Sequence, residues 1–341
     1  MRNALGSLRH KFISTERTIY FHAPCFDGLI SCVLAWDFLE TDQGWRICHL
    51  RPVNYDVRAN WLTFNVTESC AVLDFLYHPS AGFWADHHPT TFINANVEAS
   101  YSARIFREPS AILYNPQYGS TSSLLWDRFH SFFATRDRFR ELVHWADKID
   151  SARYESVEEA IFGEAPALRI NSTLMLGGTD YCEFLVRQLR NHELKQVAEL
   201  PEVAQRFEEV RKRLVRGLEQ LKDRVILLDD GIVAFDVERT DEAIISRYAP
   251  FHFFPNARYS IGLSRYLDTV RITAMRNPWL TFESIPLGEL FRQHGGGGHQ
   301  RVASVFLSGG RVNSAERIAD EILGEMRREE KQPESYEAVV A

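Results

Sequence analysis

Three ionisable residues in a row, Asp86, His87 and His88, close the run "GFWADHH". Upstream, "FHAPCFDG" offers His22, Cys25 and Asp27, and Asp74 ends the apolar run "AVLD". Further on, "HWADKIDS" supplies Asp147 and Asp150. An acid set directly after apolar residues is costly to bury without a partner; a cation, a backbone amide or an arginine can serve. Mixed histidine and aspartate donors suit Mn2+, Fe2+, Co2+ or Zn2+ better than Ca2+. Two such ions about 3.5–4 Å apart clamp the attacking and leaving oxygens of a phosphoryl transfer. Taken singly, each residue has an ordinary reading: His22 as a core histidine, Cys25 as packing, Asp27 as the cap of the next helix. Their shared placement at strand ends and turns is what favours a metal.

A second constellation lies near the C-terminus. In "HGGGGHQRVAS", Gly296, Gly297 and Gly298 permit close approach and turn backbone N–H groups towards an anion, and His299 and Arg301 add donors. Arg276, at a strand end in "ITAMRNP", offers a bidentate contact to phosphate or carboxylate. A dinucleotide loop fits poorly, because GxGxxG spacing and a following helix are both missing.

The elements that must position these residues follow from apolar periodicity. Strands are expected at "TIYFHA", "RICHLRP", "CAVLDFLY" and "GFWADHH", and a helix follows the "PCFDG" turn. "STSSLLWDRFHSFF", capped by Ser120 or Thr121, and "FRELVHWADKIDSARY" read as helices. Short strands alternating with helices imply an α/β fold with a doubly wound parallel sheet, whose ligands bind at strand C-terminal edges. "PEVAQRFEEVRKRLVRGLEQLKDR" has helix period and reads as a connector. After it come a hairpin around "DDG", a helix at "TDEAIISRYAPFHF", strands at "ARYSIGLSRY" and "TVRITAMRN", a short helix at "PLGELFRQH", the glycine loop entering a strand, and a terminal helix. The expected division is a catalytic domain over 1–198, a connector over 199–224, a smaller α/β domain over 225–330 and a disordered tail over 331–341.

With 341 residues, 45% of them apolar, the chain has material for two cores. A net charge of −7 disfavours a general nucleic-acid coat and suits a site that collects divalent cations. Five irregularly spaced cysteines without CxxC argue against a disulfide framework and for the cytoplasm. The N-terminal "MRNALGSLRHKFISTERT" lacks a hydrophobic signal core, and no stretch approaches a membrane span.

In this order the motifs resemble those of the DHH phosphoesterase superfamily across roughly residues 18 to 310. "HAPCFDG" resembles the family's HxxCxDG variant, followed by a strand-end acid at Asp74, the triplet Asp86-His87-His88 and an acid after a helix. An arginine strand at "TAMRN" and the glycine motif at "GGGHQRVAS" then match a DHH-associated domain. The resemblance implies two domains with a cleft between them, and hydrolysis of phosphodiester or phosphoanhydride bonds with two ions, Mn2+ foremost and Mg2+ or Co2+ as alternatives. It places His22, Asp27, Asp74, His87 and Asp147 at metal-ligand positions, with Asp74 bridging. Asp86 would orient ligands, His88 would sit near the scissile phosphate, and Arg276, His299 and the glycine loop would hold the substrate. Two departures stand out, and one motif is ambiguous. Cys25 replaces an acid found in many members, and a thiolate there would favour Zn2+ or Fe2+ and invite oxidation. Val302 and Ser304 replace Ala and Gly of the glycine motif. The fourth acid is either Asp147, which the local "WAD" favours and which ranks first, or Asp150.

The leading reading is thus a metal-dependent phosphodiesterase acting on short oligonucleotides or single-stranded ends, of the nanoRNase or RecJ-like exonuclease type. The alternatives are a cyclic-dinucleotide or pAp phosphodiesterase, a polyphosphatase, and a non-catalytic nucleotide sensor that only Cys25 supports. The expected partner is a short oligonucleotide or nucleotide, without a membrane, and a homodimer is compatible with the sequence.

Overall fold

The computed structural model describes residues 16–133, 136–228 and 230–330. The N-terminal segment read for a signal core, up to residue 15, and the tail over 331–341 lie outside the described residues. Two units emerge. The first comprises the described residues through His87, Thr91–Asp150 and Gly177–Val197; the second comprises His88–Thr90, Ser151–Leu176 and the described residues from Ala198 onward.

The first unit is built on five strands: β1 (Arg17–His22), β2 (Ile47–Val53), β3 (Cys70–Leu73), β4 (Phe83–Asp86) and β5 (Ile112–Tyr114). They pair in the order β2-β1-β3-β4-β5, all parallel. β3, "CAVL", is buried at every position, as expected of a parallel strand covered on both faces. Helix α1 (Phe26–Thr41) is apolar nearly all round and buries Leu29, Val33, Leu34 and Phe38 together with most of its other side chains. The chain leaves β1 for β2 on one side, then crosses to β3 on the other. Order reverses there, so the C-terminal ends of β1 and β3 form the switch-point crevice of the sheet. Both the expected fold class and this parallel sheet are present.

Two strands end earlier than their apolar runs. β3 stops at Leu73 rather than Tyr77, because Asp74 adopts φ 56°, a left-handed conformation that no extended ladder accommodates. β4 stops at Asp86, whose own Oδ1 accepts the His87 N–H at 2.9 Å and turns the backbone out of the ladder. β5 and a helix α2 (Ala95–Ile105) are further elements that the periodicity did not single out. The serine-rich run gives helix α3 (Thr121–Arg128), with Ser120 as its N-cap accepting from Ser123 N, then a short α4 (His130–Phe133). Helix α5 (Asp137–Asp150) follows.

The second unit carries a mixed sheet of β6 (Val225–Leu227), β7 (Ile232–Glu238), β8 (Tyr259–Tyr266), β9 (Thr269–Arg276), β10 (Gly297–Gly298) and β11 (Val302–Ser308), in the order β10-β11-β9-β8-β7-β6. Its core packs Ile272, Val305 and Leu307 against Leu287, Phe291 and Ile322 of two helices. β6 and β7 pair antiparallel, as the expected hairpin requires, while Asp229 of its "DDG" turn lies outside the described residues. The long helix spans Pro201–Lys222, with proline in its first turn and Val203, Phe207, Val210, Leu214 and Leu221 buried. The helix expected at "TDEAIISRYAPFHF" shrinks to Ala249–Phe253. Ile244 instead donates its N–H to Arg213 O at 2.9 Å, and its carbonyl lies where a side chain on Gly217 would be. Docking on the long helix has displaced local helix formation. No described helix is long and apolar enough to cross a membrane, and all five cysteines are free thiols.

Candidate metal centre

The crevice at the ends of β1 and β3 gathers most of the chemistry anticipated in the first unit. His22 ends β1, Cys25 and Asp27 follow in the turn into α1, and Asp74 follows β3. His22 Nδ1 lies 3.3 Å from Asp74 Oδ2. His22, Cys25 and Asp74 each turn a donor atom within 4.8 Å of the others. A second group, Asp27, His87 and Asp150, meets the same distance. His87 Nε2 links the two, at 3.1 Å from Asp150 Oδ2 and 3.8 Å from Asp74 Oδ1. Asp27, Asp74, Asp86 and His87 are buried, while Asp150 and His22 keep a small solvent-exposed fraction.

Asp150, not the first-ranked Asp147, therefore stands beside Asp27 and His87. The Asp147 carboxylate accepts from Ser123 Oγ at 2.9 Å and Ser120 Oγ at 3.4 Å, at the start of α3. Asp27 does not cap its own helix; Cys25 is that helix's N-cap position, without a side-chain bond. The Asp27 Oδ2 accepts from Thr121 N at 2.7 Å and its Oδ1 from Ser122 N at 3.0 Å, so it caps α3 from 94 positions away. Sequence reading treated "STSS" only as a helix start, although four adjacent hydroxyls were the available signal. Tyr55 was also missed: it follows β2 and its ring packs edge-on against His22 at 5.0 Å.

Charge crowding governs the protonation of these groups. Burial, then the Asp27 charge, pushes the Asp74 carboxyl well above the ordinary range. Burial and Asp150 raise Asp27, which the His87 charge and then the Ser122 hydrogen bonds partly offset. His87 would be lowered by burial, but its hydrogen bond to Asp150 and the charges of Asp150, Asp74 and Asp27 hold it well above its usual value. Burial, then Asp74, Asp150 and Asp27, keep the Cys25 thiol far from ionisation. Without a cation, Cys25 is thus held as a thiol; the thiolate expected there is one bound to a metal.

The donor set fits a divalent metal. Buried acids converge with two histidines and a thiol, and His87 Nδ1 donates to Tyr118 O at 3.0 Å. That bond fixes the ring and leaves Nε2 facing the acids, as a backbone carbonyl commonly does for a metal-binding histidine.

In the second unit His88 opens the segment His88–Thr90, and its ring centroid lies 4.4 Å from that of His299. The glycine run is a tight hairpin rather than an open anion cradle. Gly297 and Gly298 pair with Ser304 and Ala303, and the N–H groups of Gly295, Gly296 and His299 already meet the carbonyls of Arg292, Phe291 and Val302. A side chain on Gly296 or Gly298 would strike the carbonyl of Ser304 or Val302, so close approach to β11 is what requires glycine there. Arg276 is also occupied: its Nη atoms donate to the carbonyls of Asn277, Leu280 and Phe282 at 2.7–2.9 Å, and its guanidinium lies over the Phe282 ring. It braces its own loop instead of facing outward for a phosphate. Arg301 is exposed and gives its carbonyl to Arg276 N.

No protein-family model matches the chain, and neither does any curated protein. Solved structures do. A pGpG-specific phosphodiesterase, PggH from Vibrio cholerae, is 17% identical, with a TM-score of 0.65 over 92% of this chain and 99% of that one. RecJ from Thermus thermophilus in complex with Mn2+ is 12% identical, with a TM-score of 0.51 over 92% of this chain but 52% of RecJ. A DHH domain described as a member of the s1p family of ribosomal proteins is 14% identical, with a TM-score of 0.50 over 90% of this chain and 86% of that one. The matches span 90–92% of this chain, and the chain shares the fold of these DHH-domain proteins.

Proposed function

We propose that this chain is a divalent-metal-dependent phosphodiester hydrolase acting on short oligonucleotides or nucleotides. The observation that carries the reading is the convergence of Asp27, Asp74, His87 and Asp150 at the switch point of the parallel sheet. His22, Cys25 and Asp74 would hold one ion, and Asp27, His87 and Asp150 the other. Bound ions would supply Lewis acidity and a hydroxide nucleophile near neutral pH. The chain's own residues do the rest. Asp86 fixes the His87 backbone, Tyr118 O fixes the His87 ring, and Thr121 and Ser122 hold Asp27. In the second unit, His88 and His299 stand ring against ring as a pair of donors suited to an anion.

The length match to a pGpG-specific phosphodiesterase supports a short substrate. The test presents purified protein and Mn2+ with a linear dinucleotide, a long oligonucleotide, a cyclic dinucleotide, pAp and polyphosphate. Fastest turnover is expected on linear RNA of a few nucleotides. Absence of Mn2+-stimulated hydrolysis from the whole panel would overturn the reading.

A pH dependence follows as well. Asp74, Asp27 and His87 all bind protons more tightly in the folded chain than in the unfolded one. Stability from the two acids is therefore complete below their ordinary value of 3.8, and that from His87 below 6.5; each is lost as pH rises through the raised folded value. A cation replaces the protons and reverses this loss. Thermal melts across mildly acidic to mildly alkaline pH should show the metal-free Tm falling while the gain on adding Mn2+ grows. A gain independent of pH would contradict this account.

A further inference from the structure

We propose that Thr121 is a positioning residue that sets two carboxylates of the metal centre at once, Asp27 through its backbone amide and Asp74 through its hydroxyl. This deepens the reading above and rests on it. The Thr121 N–H donates to Asp27 Oδ2 at 2.7 Å, and Thr121 Oγ1 donates to Asp74 Oδ1 at 2.9 Å. Thr121 is fully buried, as are both acids. Asp27 and Asp74 come from different strand connections, 94 and 47 positions from the residue that joins them.

Two buried carboxylates repel, so holding them side by side requires donors. The chemistry of the donor decides what else can bind. A lysine or arginine would neutralise the pair and take the place of a cation. A hydroxyl and an amide carry no net charge, so the pair keeps its attraction for a divalent ion while each oxygen retains a lone pair for it. Threonine is also stiff at χ1, which points Oγ1 in one direction from the first turn of α3. Any residue at position 121 other than proline supplies the amide. Only the hydroxyl depends on the side chain, and it acts on Asp74, whose backbone is held in a left-handed turn with φ 56°.

The experiment is calorimetric titration of the full chain with Mn2+ alone, without substrate, on the parent, Thr121→Val and Thr121→Ser. Thr121→Val keeps the shape and the amide but loses the hydroxyl. It is expected to weaken Mn2+ binding about 10- to 100-fold, the range seen when a ligand's supporting bond is removed, while Thr121→Ser restores binding. If Thr121→Val does not fold by circular dichroism, Thr121→Ala, which adds no bulk, carries the same expectation. Parent-like Mn2+ affinity in the folded hydroxyl-free variant overturns the proposal and leaves the metal centre standing. Failure of Thr121→Ser to restore binding also overturns it, because the hydroxyl would not be the cause. A parent that binds no Mn2+ overturns the proposal together with the functional reading.

Discussion

Asp74→Asn is expected to lower Mn2+-stimulated phosphodiester turnover by at least about 10²–10³-fold, the scale of losing a principal electrostatic group in an active site. Asparagine is the informative replacement, because Asp74 sits at φ 56° and asparagine tolerates that conformation as few residues do. Its amide oxygen can still accept from Thr121 Oγ1. The fold therefore survives while the charge is lost. Stability should move the other way from activity. The Asp74 carboxyl is held well above its ordinary range by burial and by Asp27, so ionising it costs the metal-free protein free energy at alkaline pH. The variant should melt at or above the parent's temperature in a chelator at mildly alkaline pH, and gain less from Mn2+. Kinetics and melting curves on one preparation check both halves. Activity above a tenth of the parent's would remove Asp74 from the centre.

The second large effect separates two acids on one helix. Asp150→Asn should lower kcat/KM by about 10²-fold or more, whereas Asp147→Asn should cost less than about tenfold. Asp150 lies 3.1 Å from His87 Nε2 and shares a donor cluster with Asp27. Asp147 instead receives the hydroxyls of Ser120 and Ser123 and steadies the start of α3, a task an asparagine oxygen can continue. Steady-state kinetics of the two variants under identical Mn2+ decide the matter. The reverse order of effects would return the ligand role to Asp147.

Much of this was readable from residues alone. The apolar runs located β1 through β4 to within a few positions, Pro201 marked the start of the long helix, and "DDG" marked a hairpin. The residue types at "HAPCFDG", Asp74 and Asp86-His87-His88 pointed to a metal before any coordinates. These are local properties: side-chain alternation, turn chemistry and the cost of burying a charge all act within a few residues.

What tertiary structure decided was non-local. Asp147 and Asp150 are three positions apart on α5, so both fall near one helix face and periodicity could not tell their surroundings apart; the packing of α5 sets Asp150 beside His87 and Asp147 beside Ser120 and Ser123. Asp27 looked like the cap of its own helix until the fold brought α3 to it from 94 positions away. Arg276 and the glycine run looked free for an anion, yet the Arg276 Nη atoms and the N–H groups of Gly295, Gly296 and His299 meet the chain's own carbonyls. The types and approximate places of the chemical groups belong to the sequence. Which atoms face one another depends on strand order and helix docking, and those come from burying apolar surface across the whole domain.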